Sequence, residues 1–262
     1  MSQLGLDTAE LITLLQSNWT NNCTAIATCA LVFYDHATTI SREVDYIWGR
    51  KLNSVTLLFH LNRWTLFAWA ISEALDFMSQ NTIPRCVGFS MLDYILNILL
   101  FAIWALFSAV RTYAISGGSW WLSVLVLCLN LVPLVTSALS YFEKTTYQMV
   151  SVPVLGLQCL ISADTSQSRQ IQFTAASRTC VITSDVIVLV ITWVKTFKIK
   201  REAVRNNVSV PLVSMLLRDG TTYFIALLTL NILSITGIIT NVFTETVNIF
   251  VVPYGLLLVT TP

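Results

Sequence analysis

The chain has 262 residues, of which 55% are apolar and only 11% charged, with a net charge of +1. An average soluble protein carries about 25% charged residues, so the composition argues against a water-soluble globule, and the near-neutral balance leaves no basic field for nucleic acid. The apolar residues are also clumped into stretches of roughly 20, the length that crosses a ~30 Å hydrocarbon core as a helix.

Taken in order, residues 1–18 carry Asp7 and Glu10 and no Lys or Arg, which is not the basic start of a cleavable signal peptide. Leu11 to Leu15 read as a short amphipathic helix at the membrane surface. Seven apolar segments follow, at about 21–40, 55–75, 89–112, 120–141, 176–197, 214–240 and 246–262. Helices are the expected form, because lipid offers no water to open backbone groups and the segments lack a barrel's alternation. The expected fold is therefore all-α: a seven-helix membrane bundle forming a single multi-pass domain over 1–262, with residues 1–20 as an outer N-terminus.

Lys and Arg placement sets the orientation. With the N-terminus outside, the inner side holds Arg42, Arg50, Lys51, Arg111, Lys195, Lys198, Lys200, Arg201, Arg205 and Arg218. The outer side holds only Arg85, Lys144, Arg169 and Arg178. The basic loop 195–205 is read first as a positive-inside anchor. Its alternative is a site for an acidic cytoplasmic partner such as a G protein, or for anionic membrane lipid. Asn18 begins a glycosylation sequon on the same outer side as the N-terminus.

The long connector 142–175 contains an apolar run, 148–161, interrupted by Pro153 and Gly156 and too short to span. It is expected to be an ordered outer loop, with a small hairpin as one form. Cys159 lies in it and Cys86 just before helix 3, so an outer Cys86–Cys159 disulfide is permitted. Two free thiols are the alternative, and Cys23 and Cys180 are rival partners. Rhodopsin-like receptors staple the loop after helix 4 to the top of helix 3 in the same way.

Asp35, Thr39, Glu43-Val44 and Ile47-Trp48, followed by Arg50-Lys51 and Leu61-Asn62-Arg63, resemble the N-terminal signature of a fungal, mainly basidiomycete, family of multi-pass membrane proteins. Leu217-Arg218-Asp219-Gly220 resembles a second pattern of that family. The signature region, about 22–70, is a domain of unknown function, so the resemblance implies an architecture and no activity. Members of the family continue into a cytoplasmic tail. Helix 7 here ends at Thr261-Pro262, so the last helix is expected to be truncated.

Ionisable groups at membrane depth are the candidate functional residues, since each costs about 2.5–3.5 kcal/mol at a helix centre. Asp35 and Arg63 both fall roughly 10–13 Å from the inner interface, at 1.5 Å per residue, and are expected to pair. Thr39 and Glu43 continue the face of Asp35. A structural clamp is the simpler reading and a moving switch the functional one. Arg111, at the inner end of helix 3, is a candidate lock partner for Asp219, by resemblance to the resting lock of rhodopsin-like receptors. Asp185, Asp93, Glu73 and Asn97 are candidates to line a polar outer cavity.

No phosphate loop, nucleophile elbow or close-spaced metal-ligand motif occurs, His36 and His60 included, so neither an enzyme nor a cofactor is expected. The leading reading is a receptor-like protein sensing an extracellular or lipid ligand, with the plasma membrane as the expected location. A small-solute or ion transporter or channel is the alternative, and a non-signalling structural membrane protein the third class.

Overall fold

The computed structural model describes residues 8–49, 53–76, 82–142, 145–152, 156–163 and 167–205, with positions 228, 229, 231, 232 and 236. Among them are five helices and one hairpin: α1 (Thr8–Tyr46), α2 (Ser54–Asp76), α3 (Ile83–Ser116), α4 (Trp120–Phe142), β1 (Thr145–Val152), β2 (Gly156–Ala163) and α5 (Gln167–Arg205). The expected helices at 214–240 and 246–262, the end of the last one, and Asp219 lie outside the described residues, apart from the five helical positions just given.

Two helices are much longer than their apolar segments, and α3 also runs past both ends of its expected 89–112. α1 begins at Thr8, well before the expected 21, and α5 covers 39 residues in place of 176–197. The reason lies in what these stretches lack. Neither contains Gly or Pro, so nothing breaks the backbone where the apolar run gives way to polar residues. The expected surface helix around Leu11 to Leu15 is thus the first part of α1, and Asn18 lies within that helix instead of a free terminus. Likewise residues 195–205 are the helical end of α5, not a loop.

Helix boundaries fall where the chemistry changes. Asn53 and Thr82 stand immediately before α2 and α3, and their carbonyls accept from Leu57 N at 2.9 Å and Cys86 N at 3.1 Å. Pro84 sits in the first turn of α3, where a missing N–H costs nothing. α3 ends at Gly117 and Gly118, with φ of 79° and 90°, a left-handed conformation that glycine adopts without strain. Gly118 N donates back to Tyr113 O at 3.0 Å, and α4 starts two residues later.

The connector after α4 is a two-stranded antiparallel hairpin, pairing Thr145 with Ala163 through to Val152 with Gly156. The sequence signal was an apolar run without helical length. The strands extend that run by a few residues on either side, since each strand alone leaves its ladder groups unpaired.

Among the described residues, three helices are long and apolar enough to cross a membrane: Ile83–Ser116, Trp120–Tyr141 and Ile171–Lys198. Their outward faces carry Ile95, Leu99, Leu106, Val110, Leu125, Val135, Leu139, Val186, Val190 and Val194, all exposed. An apolar exterior of this extent is stable against lipid, not water. The chain is therefore a helical membrane protein.

The described residues divide into two compact units. The first takes α1, α2, α3 as far as Leu100, the last residues of α4 and the hairpin; the second takes α3 from Phe101, α4 to Leu139 and α5. The core of the first unit gathers Cys29, Val32, Leu66, Trp69, Ala70 and Leu96, with Leu100 packed against them. The core of the second is smaller, Val126 against Val188, flanked by Ile187 and Leu189.

Candidate functional site

The candidate site of the first unit is a buried charge cluster between α1 and α2. Arg63, on α2, is only 3% exposed, and Asp35 and Glu43, on α1, are buried with it. Its Nη1 donates to Asp35 Oδ2 at 2.7 Å, and its Nη2 to Glu43 Oε1 at 2.8 Å. The same Nη2 also reaches His36 O at 3.2 Å and the hydroxyl of Thr39. Thr39 Oγ1 lies 2.7 Å from Asp35 O and 3.2 Å from Glu43 Oε1, bridging the two acidic residues along the helix.

The helix itself explains the arrangement. Asp35, Thr39 and Glu43 recur every four residues and so share one face. Side chains on a helix lean toward its N-terminus, which brings Glu43 back over Thr39 toward the guanidinium. A fork-shaped guanidinium suits two carboxylates arriving from either side, where a lysine would offer a single point charge.

Sequence reasoning placed Asp35 and Arg63 at one depth, and the structure joins them. It did not assign Glu43 to Arg63. The signal was present, in the four-residue spacing, but spacing names a face and not a partner. His36 was also missed, having been weighed only as a metal ligand. Its Nδ1 lies 2.9 Å from Val32 O and its Nε2 3.1 Å from Arg63 O. Its ring stacks on Phe67, with centroids 5.0 Å apart and planes at 28°.

Elsewhere in this unit, Cys86 and Cys159 form a disulfide with their Cα atoms 6.1 Å apart. The bond fastens the first turn of α3 to β2. Cys23 and Cys180, the rival partners, are free thiols. Tyr141, at the end of α4, stacks on Tyr94 with ring centroids 3.9 Å apart and bonds Met91 through its hydroxyl. Asn97 Nδ2 donates to Asp93 Oδ1 at 2.9 Å. Glu73 lies within electrostatic reach of the Cys29 thiol.

Of the four residues expected to line one polar cavity, Asp93, Asn97 and Glu73 belong to the first unit and Asp185 to the second. Asp185 lies within electrostatic reach of Arg111, the residue expected to face Asp219. Beside it, Asn130 Nδ2 donates to Ser184 Oγ at 2.5 Å and to Val126 O at 2.9 Å. Asn130 Oδ1, Asp185 Oδ2 and both side-chain polar atoms of Asn231 are buried without a hydrogen-bond partner. At the far end of α5, the Lys195 ammonium lies over Gly117, where an added Cβ would come within 3.5 Å of it. A cation there complements the C-terminal end of α3.

Fold and cluster together define a helical membrane protein with a buried ionic clamp near its N-terminus. Residues 23–68 match a family of unknown function, DUF6533. The match covers a minor part of the chain, yet it encloses Asp35, His36, Thr39, Glu43 and Arg63, so the clamp lies wholly inside it. No curated protein and no solved structure matches the chain.

Proposed function

We propose that the chain is a receptor-like seven-helix membrane protein, N-terminus outside, that senses an extracellular or lipid ligand and is not an enzyme. The observation that carries this reading is the Cys86–Cys159 bond, which holds an ordered hairpin to the first turn of α3. A disulfide belongs to an oxidising compartment, so the bond supports an outer position for that end. A hairpin bonded to a helix that continues to Arg111 is an arrangement by which binding on one side biases packing on the other. The basic end of α5, residues 195–205, is then the surface offered to a G protein or other acidic partner, with the plasma membrane as the setting. Rhodopsin-like receptors staple the loop after helix 4 to the top of helix 3 in the same way, which is what suggests the class.

The test is guanine-nucleotide exchange on a panel of G-protein α subunits, using membranes that contain the full chain. Stimulated exchange that is lost in Arg111→Ala supports the reading; absence of exchange on every subunit, with and without lipid extracts as ligand source, counts against it. A transporter is the second reading, favoured by the unpartnered Asp185 Oδ2 at membrane depth. Solute flux into proteoliposomes that falls in Asp185→Asn would select it.

A further inference from the structure

We propose that Lys198, Arg201 and Arg205 form a binding site for the headgroup of an anionic membrane lipid on the outward face of α5. The inference needs only that α5 crosses a membrane, and does not rest on the receptor reading. α5 runs over 39 residues, Gln167–Arg205, while its stretch apolar enough to span closes at Lys198. The seven residues that follow carry the helix about 10 Å further. The headgroup layer on each side of a bilayer is about 5–8 Å deep, so these two turns pass through it. Trp193, half exposed, stands just before them, at the level where indole rings gather at the boundary of lipid and water.

Helix rotation decides which way the charges face. At about 100° per residue, Lys198, Arg201 and Arg205 fall within an arc of about 60°, and Val190 and Val194 lie in or beside it. All five are exposed. Ser177, Val181, Ser184, Asp185 and Val188, all buried, hold another side, centred roughly 120° away. The basic stripe therefore continues the lipid-facing side of α5 and not the side that packs in its unit. Lys195 shows the contrast. Rotation puts it between Ser184 and Val188, and its ammonium lies over Gly117, at the end of α3. The basic end thus divides into one cation turned toward α3 and three turned outward.

The chemistry of this face fits a lipid better than a soluble partner. Among the described residues none of the three cations enters an ion pair. The guanidinium forks of Arg201 and Arg205 match phosphate oxygens two at a time, and Lys198 adds a point charge. Their long stems lie along apolar surface while the charged heads stay at the interface. The acyl chains of the same lipid run along Val194 and Val190, so one molecule answers both halves of the face. An acidic protein arriving from water would meet the charges and leave the apolar half untouched.

Native mass spectrometry of the full chain in detergent tests this. Titration with phosphatidylglycerol, or with phosphatidylcholine of the same acyl chains, gives the affinity for each lipid. Each basic residue near an anionic surface strengthens binding about fivefold, so the wild type should hold the anionic lipid more than about tenfold tighter than the neutral one. Added salt should narrow that difference. Arg201→Gln and Arg205→Gln, single changes at exposed positions that leave the fold in place, should each weaken phosphatidylglycerol about fivefold and leave phosphatidylcholine unchanged. Lys195→Gln should keep the full preference, because that ammonium faces α3. Inorganic phosphate should not displace the lipid, since it lacks the chains that cover the apolar half. Equal affinity for the two lipids would overturn the proposal and leave the charges to an acidic protein. An undiminished preference in both arginine variants would overturn it, as would a loss in Lys195→Gln as large as theirs. Displacement by inorganic phosphate would overturn the lipid and assign the site to a soluble anion.

Discussion

The two units bury polar groups in opposite ways. In the first, each charged side chain at the centre of the α1–α2 contact meets a partner: one guanidinium, two carboxylates, a threonine hydroxyl and two backbone carbonyls close on each other over about two helical turns. In the second, Thr112, Ser116, Ser123, Asn130, Ser177, Ser184, Asp185 and Asn231 are buried around a small apolar core, and several of their polar atoms have no hydrogen bond. Unmade hydrogen bonds in a buried site cost about 1–3 kcal/mol each. The first unit thus holds its helices in one arrangement. The second retains groups that a rearrangement, a proton or a solute could satisfy, which is where motion or passage would be sought.

That contrast breaks most sharply at Arg63. Arg63→Met removes the shared cation and leaves Asp35 and Glu43 buried together, an expected loss of about 3–5 kcal/mol. Thermal denaturation in nanodiscs measures it, and a change below about 1 kcal/mol would place the two carboxylates in water instead of a clamp.

The disulfide comes next. Cys86→Ser opens a loop between positions 73 residues apart, for an expected loss of about 2–4 kcal/mol. Reductant should bring the wild type to the level of the variant and leave the variant unmoved. An equal response to reductant in both would mean that the bond does not stabilise the fold.

A smaller effect is expected at Asp35. In Asp35→Asn the guanidinium keeps Glu43, so only one charge-assisted bond is lost, worth about 1.5–3 kcal/mol. The double variant Asp35→Arg with Arg63→Asp should recover part of it, read as a higher melting temperature than Arg63→Asp alone. No recovery would assign the effect to packing.

Asp185→Asn should change stability least, by about 1 kcal/mol or less, because the side chain's Oδ2 already lacks a hydrogen bond. A loss as large as that of Arg63→Met would show that the second unit also depends on a tight ion pair, and the contrast between the units would fall.

Much of the first unit was readable from residue order alone. Asp35 and Arg63 lie at matching depths on consecutive segments, and antiparallel neighbours at one depth meet. The second unit was less readable. Asp185 had been grouped with Asp93, Glu73 and Asn97 because all four are polar residues in apolar segments, whereas Asp185 lies in the unit of Arg111 and Asn130. Polarity and approximate depth say nothing about which way a helix is turned, and a rotation of 100° per residue separates neighbours such as Ser184 and Asp185. The hairpin had a partial signal, an apolar run cut by Pro153 and Gly156, but pairing register depends on the partner strand.

What residue order determined by itself was the solvent and the scale. Stretches of apolar residues too long for a soluble core, with charges gathered between them, require helices in lipid, since only helices satisfy their own backbone there. It also set the cost of every charge placed within those helices. What only the tertiary structure decided was which atoms answer that cost. Glu43 joins Asp35 on one guanidinium, both nitrogens of His36 find carbonyls, and Cys86 finds Cys159 in preference to Cys23 or Cys180. Each of these turns on helix rotation and on the reach of a side chain across a contact, at a scale of a few ångströms. Periodicity along a chain fixes a face, and only packing against a second element chooses the partner on it.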